Sequence, residues 1–137
     1  MEAFKYANIT NIKLPNSIIK LSKECFSSCN LTSIDLGDNL QIIEELAFYN
    51  NPLETLIIPD SVTTIGTNFI NNYSHYTLKY LKLGKGIKDI KDLAFRFYSN
   101  SSSPVTVYIN YKNIGTEWYN NSAYINLIIG PNVETIA

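Results

Sequence analysis

Few residues of this 137-residue chain could do chemistry: Cys25 and Cys29 four apart, one histidine (His75), the "GKG" of residues 84 to 86, and scattered carboxylates. Two thiols at that spacing could form a redox pair or half of a metal site. However, no second Cys or His pair completes a zinc set, and two cysteines make no disulfide framework for a chain of this size. Both are expected to be buried, unpaired and structural. His75 would have to carry any Ser-His-Asp or Cys-His relay by itself, and it lies in the polar run "NNYSHYT", where a surface histidine without catalytic duty is expected. "GKG" lacks the further glycine and the Lys-Ser/Thr ending of a phosphate loop and reads as a turn. Glu44, Glu45, Asp89 and Asp92 read as a solvated face, because no two carboxylates are isolated in an apolar context that would split their pKa values for acid and base work. The chain is therefore expected to be no enzyme, with no catalytic residue, no metal and no cofactor.

What must position these residues is set by bulk and by period. A length of 137 residues is one domain, and 45% apolar content suits a chain that folds around a core. A formal net charge of -1, with both signs interspersed, offers no field to steer a polyanion or bind an anionic bilayer, so no nucleic-acid partner is expected. No apolar run approaches the ~20 residues that a membrane-spanning helix needs, so no membrane insertion is expected. The opening "MEAFKYANITNIKLP" has no basic region followed by an apolar stretch, so no signal peptide is visible. Asn8, Asn30, Asn72, Asn100 and Asn120 each begin an N-x-S/T triplet, as several would by chance in so Asn-, Ser- and Thr-rich a sequence.

The decisive feature is an internal repeat. Phe4, Phe26 and Phe48 recur at 22 residues, Phe69 follows at 21 and Phe95 at 26, each after a small or narrow residue (Ala3, Cys25, Ala47, Asn68, Ala94). Between them stand strand-like pairs: Ile12 and Leu14, Ile34 and Leu36, Leu56 and Ile58, Leu81 and Leu83, Val107 and Ile109, Leu127 and Ile129. Pro15, Gly37, Pro59, Gly84 and Gly130 follow, where a strand has to stop. A second apolar pair at spacing three comes next, as in Ile18 and Leu21, Leu40 and Ile43, Val62 and Ile65, Ile87 and Ile90, Val133 and Ile136. One such unit buries too little to stand alone, and stacking on its neighbours completes both the core and the ladders of backbone hydrogen bonds.

The run L-x-x-I-x-L-x-x-x-L-x-x-I-x-x-x-A-F at Leu31 to Phe48 resembles the BspA-like class of leucine-rich repeats. The resemblance implies an α/β solenoid: a right-handed leucine-rich repeat superhelix of about five units, with a short parallel β-sheet on one face and irregular or short helical returns on the other. It implies a single domain over residues 1–137, with regular repeats of about 22–27 residues over 1–104 and an irregular terminal repeat over 105–137, where Tyr111 and Trp118 replace the usual return. It also implies a secreted or cell-surface protein, since members are largely surface or secreted bacterial and protozoan proteins implicated in adhesion and protein binding.

Alternation along a strand leaves Asn11, Lys13, Ser33, Asp35, Thr55, Ile57, Tyr80, Lys82, Thr106, Tyr108, Asn126 and Ile128 facing outward. Ile57, Tyr80 and Tyr108 belong to consecutive layers and are expected to form one apolar and aromatic stripe, a feature that often marks a partner surface. The insertions "NNYSHYT" and "FYSNSSSP" precede the next strands and bring Tyr73, Tyr76, Phe97 and Tyr98 among Asn and Ser, a composition suited to adaptable binding loops. The candidate site is therefore Ile57, Tyr80, Lys82, Tyr108, Tyr73, Tyr76, Phe97 and Tyr98, presented to a protein or glycan ligand. The alternative is a structural spacer or assembly fragment of a longer array. "EAFKYANIT" matches the tail of a repeat and "VETIA" stops where another Ala-Phe anchor is due, so exposed layer edges and end-to-end self-association are expected.

Overall fold

In the computed structural model of the protein, residues 2–71, 76–91, 93–96, 98–115 and 123–137 are described. They contain fourteen short strands and no helix. Six strands form the front face, one per layer: β1 (Asn11–Lys13), β3 (Ser33–Asp35), β5 (Thr55–Ile58), β8 (Tyr80–Leu83), β11 (Val105–Ile109) and β13 (Ile125–Ile129). All pairings are parallel, in a β1–β3 pair and a β5–β8–β11–β13 sheet. The strands β5, β8 and β11 bury their alternate residues, so Leu56, Ile58, Leu81, Leu83, Val105 and Val107 are fully enclosed, whereas β13 has exposed or half-buried residues throughout.

The returns are strands and turns, which corrects the expected short helices. The second side of the solenoid is built from two-residue strands: β2 (Lys20–Leu21), β4 (Ile42–Ile43), β6 (Thr64–Ile65) and β9 (Asp89–Ile90) in one sheet, and β12 (Asn113–Ile114) with β14 (Thr135–Ile136) in another. Their N–H groups donate to the neighbouring layer and not four residues back, as in Gln41 N to Ile19 O at 2.9 Å and Gly66 N to Ile43 O at 2.8 Å. The third side carries the Ala-Phe segments, including β7 (Ile70–Asn71) paired with β10 (Phe95–Arg96). Here Glu24, Ser28, Leu46, Asn50, Asn68 and Leu93 all adopt positive φ, a conformation no helix accepts. Those inversions turn successive N–H groups toward the next layer, giving Phe26 N to Ala47 O (3.1 Å) and Ser28 N to Tyr49 O (2.8 Å).

Side-chain ladders repeat the backbone ones. The phenylalanine rings stack nearly parallel from Phe4 to Phe26 (5.4 Å) and Phe26 to Phe48 (6.3 Å), then turn edge-on at Phe48 to Phe69 and Phe69 to Phe95. The change of geometry falls where the 22-residue period first slips to 21. Tyr111 is buried in the slot two residues before the return strand, equivalent to Val133 in the next layer, so the terminal segment keeps the return that Tyr111 was expected to replace. Trp118 lies outside the described residues. The "GKG" corner nests on the layer beneath: a Cβ at Gly86 would lie 1.9 Å from the Asp60 carbonyl oxygen, so only glycine fits.

Asn51 joins two layers from inside the core. Its side-chain amide donates to the carbonyls of Phe26, Phe48 and Tyr49, and its oxygen accepts the N–H groups of Cys29 and Leu31, both at 3.0 Å. Replacing it by Leu leaves several buried backbone groups unpaired, at about 1–3 kcal/mol each. Urea unfolding should show Asn51→Leu destabilised by ~3 kcal/mol or more, whereas exposed Asn39→Ala should lose less than about 1 kcal/mol.

Candidate functional site

The register of the β5–β8–β11–β13 sheet sorts its outward residues into two rows. Thr55, Tyr80, Thr106 and Asn126 are cross-strand neighbours in one, and Ile57, Lys82, Tyr108 and Ile128 in the other. Ile57 and Tyr108 thus share a row with Lys82 between them, and Tyr80 stands diagonally in the adjacent row. The single stripe expected of Ile57, Tyr80 and Tyr108 is a two-row patch, because the strand that carries Tyr80 has its other outward position filled by Lys82.

Ile57 (49% exposed) and Ile128 (48% exposed) are the apolar ends of their row. Between them the Lys82 Nζ stands 5.9 Å from the centroid of the Tyr108 ring, close enough for a cation–π contact. Among the described residues this ammonium has no carboxylate partner, while its neighbours Lys79 and Lys85 pair with Glu54 (3.3 Å) and Asp60 (3.9 Å). Ile57 also borders a cleft of about 270 Å³ lined by Ile34, Asp35, Leu36, Gly37, Asp38 and Pro59, where β3 and β5 part. Gly37 turns the corner beside this cleft with positive φ and an N–H bond to the Asp35 carboxylate (3.0 Å). The same N–H, with Lys13 second at 3.1 Å, holds the Asp35 carboxyl below its ordinary pKa.

Two of the four loop aromatics are described, and they meet. Tyr76, exposed before β8, packs edge-on against Tyr98 before β11, with ring centroids 6.5 Å apart. Ser99 ties the second loop to the chain before β13 by exchanging hydrogen bonds with the N–H and carbonyl of Tyr124 at 2.7 and 2.8 Å. Tyr73 and Phe97 lie outside the described residues, as does His75. Since both loops enter strands at their N-terminal ends, they border the row that contains Tyr80. Tyr124, an exposed aromatic at the equivalent corner of the last layer, adds to the candidate residues named above. Its signal was available in its position just before β13.

Of the groups that first suggest chemistry, Asp92 lies outside the described residues, and the two cysteines, Glu44 and Glu45 hold structural contacts. Cys25 and Cys29 are buried and not bonded to each other. Burial pushes the Cys25 thiol up to about 11 and raises that of Cys29, whose S–H donates to the Phe4 carbonyl at 2.8 Å. Glu44 and Glu45 form interlayer ion pairs with Lys20 (2.5 Å) and Lys23 (2.9 Å). Among the described residues no group of three or more His, Cys, Asp or Glu side chains converges as a metal site would require, and no helix is long and apolar enough to cross a membrane.

Comparison with known proteins agrees with this geometry. The family model described as "BspA type Leucine rich repeat region" matches residues 1–136 in six copies, the number of strands on the front face. No curated protein and no solved structure matches the chain.

The thiol environment has a measurable consequence. Because the folded pKa of Cys25 lies above its ordinary 9.0, its burial contributes stability that is complete below about pH 9 and is lost as pH rises through about 11. At about pH 8, iodoacetamide should leave Cys25 unmodified in native protein and alkylate both cysteines after unfolding, as read by intact mass.

Proposed function

The chain belongs to the BspA-type leucine-rich repeat family, and from that premise we propose that it is a non-enzymatic recognition module that binds a protein or glycan partner through its front sheet. Proteins of this family are typically surface-associated or secreted and generally serve as binding or scaffold folds. The observation that carries the reading is the row Ile57, Lys82, Tyr108 and Ile128. It sets a cation held on an aromatic ring between two exposed aliphatic side chains, on a sheet whose other layers show paired charges and small polar groups.

Such a row suits recognition for physical reasons. Tyr108 offers area at little entropic cost, and Lys82 offers a donor already stripped of part of its water by the ring. The Tyr76–Tyr98 pair and Tyr80 extend the surface toward the loop corner, where Ser and Asn supply adaptable hydrogen bonds. Rigid strands place the aromatics and loops vary around them, as in binding surfaces built on scaffolds. Tyr73 and Phe97 belong to the same two insertions and are included in the proposed site on sequence position alone. Presentation at a cell surface or in secreted form, in the service of adhesion, is the setting we infer.

The test is adhesion of beads coated with the protein to cell surfaces and glycan arrays, followed by affinity measurement on whatever ligand is found. Tyr108→Ala and Lys82→Ala should each weaken binding about tenfold or more, with unchanged thermal unfolding. Ser33→Ala, outside the patch, should leave affinity within about twofold. Equal affinity for wild type and a Tyr80→Ala/Tyr108→Ala double variant would remove this surface from the interaction.

A further inference from the structure

We propose that the cleft between β3 and β5 receives an arginine side chain of a protein partner. The inference rests on the reading of the front sheet as a recognition face, and it narrows the ligand from protein or glycan to a protein that presents a cation. The cleft lies inside the stack and opens at one end of its two strands. At their start Glu54 N still donates to Thr32 O at 3.1 Å. Beyond that bond β3 and β5 are not paired, and a space of about 270 Å³ is left with residues 34–38 on one side and Ile57 and Pro59 on the other.

The two carboxylates beside this space differ in what they hold. Asp35 accepts the Gly37 N–H and pairs with Lys13, so its charge is met within the chain. Asp38 stands at the corner, two residues after the last inward residue of its strand, Leu36. On either side of the cleft the residue at that corner accepts the N–H of its equivalent in the next layer: Asn16 Oδ1 takes the Asp38 N–H at 3.2 Å, and Asp60 Oδ1 takes the Lys85 N–H at 3.0 Å. The relay skips the junction of Asp38 with Asp60, which is where the strands are unpaired. Asp60 is further matched by the Lys85 ammonium, whereas among the described residues the Asp38 carboxylate holds neither an N–H nor a cation.

A lone carboxylate on a surface is simply hydrated, but this one borders an apolar wall. Exposed Ile57, Pro59 and half-buried Ile34 offer surface to a methylene stem, with Asp38 at the rim for a charged head. Arginine suits that division. Its stem lies on apolar surface, its fork of N–H groups pairs with a carboxylate two bonds at a time, and its guanidinium gives up water more readily than an ammonium does. The residues lining the cleft include no lysine or arginine, so its complement comes from outside the chain, and a neutral glycan has no cation to supply. Because Ile57 belongs to both the cleft and the row of Lys82, Tyr108 and Ile128, an arginine seated here lays its neighbours on that row.

Selection of phage-displayed random peptides on the 137-residue chain tests this, followed by calorimetry on the enriched peptides. Enriched sequences should carry an arginine beside aliphatic residues. Asp38→Asn, which keeps the shape of the side chain, should weaken them about tenfold, and Asp89→Asn on the return side should leave affinity within about twofold. Citrulline in place of the arginine, of nearly the same shape but uncharged, should cost a similar factor on the wild type and nothing further on Asp38→Asn. Enriched peptides without arginine, peptides that Asp38→Asn binds as tightly as wild type does, or a selection that enriches no peptide would overturn the proposal. In the first two cases a loss of affinity on Tyr108→Ala keeps the front sheet as the binding face, and indifference to both substitutions removes the sheet as well. Capture of neutral glycans with no peptide enriched overturns the arginine and leaves the sheet.

Discussion

Every layer of this protein satisfies its backbone through the layers above and below it. On all three sides of the solenoid the N–H groups leave their own turn: Leu14 N reaches Asp35 O on the front, Thr63 N reaches Gln41 O on the return, and Phe48 N reaches Phe69 O on the third side. Buried backbone groups must be paired, so the hydrogen-bonded segments of a turn cannot shift without losing the match to their neighbours, and changes of length are confined to the loops between them. The 22-residue period, the recurrence of rungs such as Leu56 and Leu81, and the stacked phenylalanines all follow from that single requirement.

The same requirement explains where the chain tolerates strain. Positive φ at Glu24, Leu46 and Leu93 is unfavourable for residues with a Cβ, and each stands two residues before a phenylalanine. What offsets it is the cross-layer bond made possible beside it, such as Glu24 N to Glu45 O or Leu46 N to Thr67 O. Asn51 performs for three carbonyls and two N–H groups what no backbone group in that corner can reach. Stability in such a stack is a sum over neighbouring layers, and a residue that bridges two of them matters more than its size suggests.

Much of this was legible in the sequence because rungs must recur. Ile34 and Leu36, Leu40 and Ile43, and Ala47 and Phe48 announce a turn, and all but the half-buried Ile34 occupy the interior that their spacing assigns. The short helical returns that the resemblance implies do not form among the described residues, and the apolar spacing of three does not decide against them, because it suits one helical turn and equally a corner followed by a two-residue strand. Only the direction of the N–H groups separates these, and no side chain reports it when the inverted residues are Leu or Glu and not Gly. Tyr111 was misread because a buried tyrosine in an aliphatic slot breaks the residue pattern while keeping the position. The outward face was legible residue by residue and not as a surface. Alternation puts Tyr80 and Lys82 outside, but the row each joins depends on register, which here gives the partner of Tyr108 to Lys82.

Positions that obey the repeat hold the fold, so positions that depart from it outside the core are free to carry function. Ile57 interrupts a polar row, and the loops of Tyr76 and Tyr98 interrupt the period, yet neither disturbs the ladders beneath them.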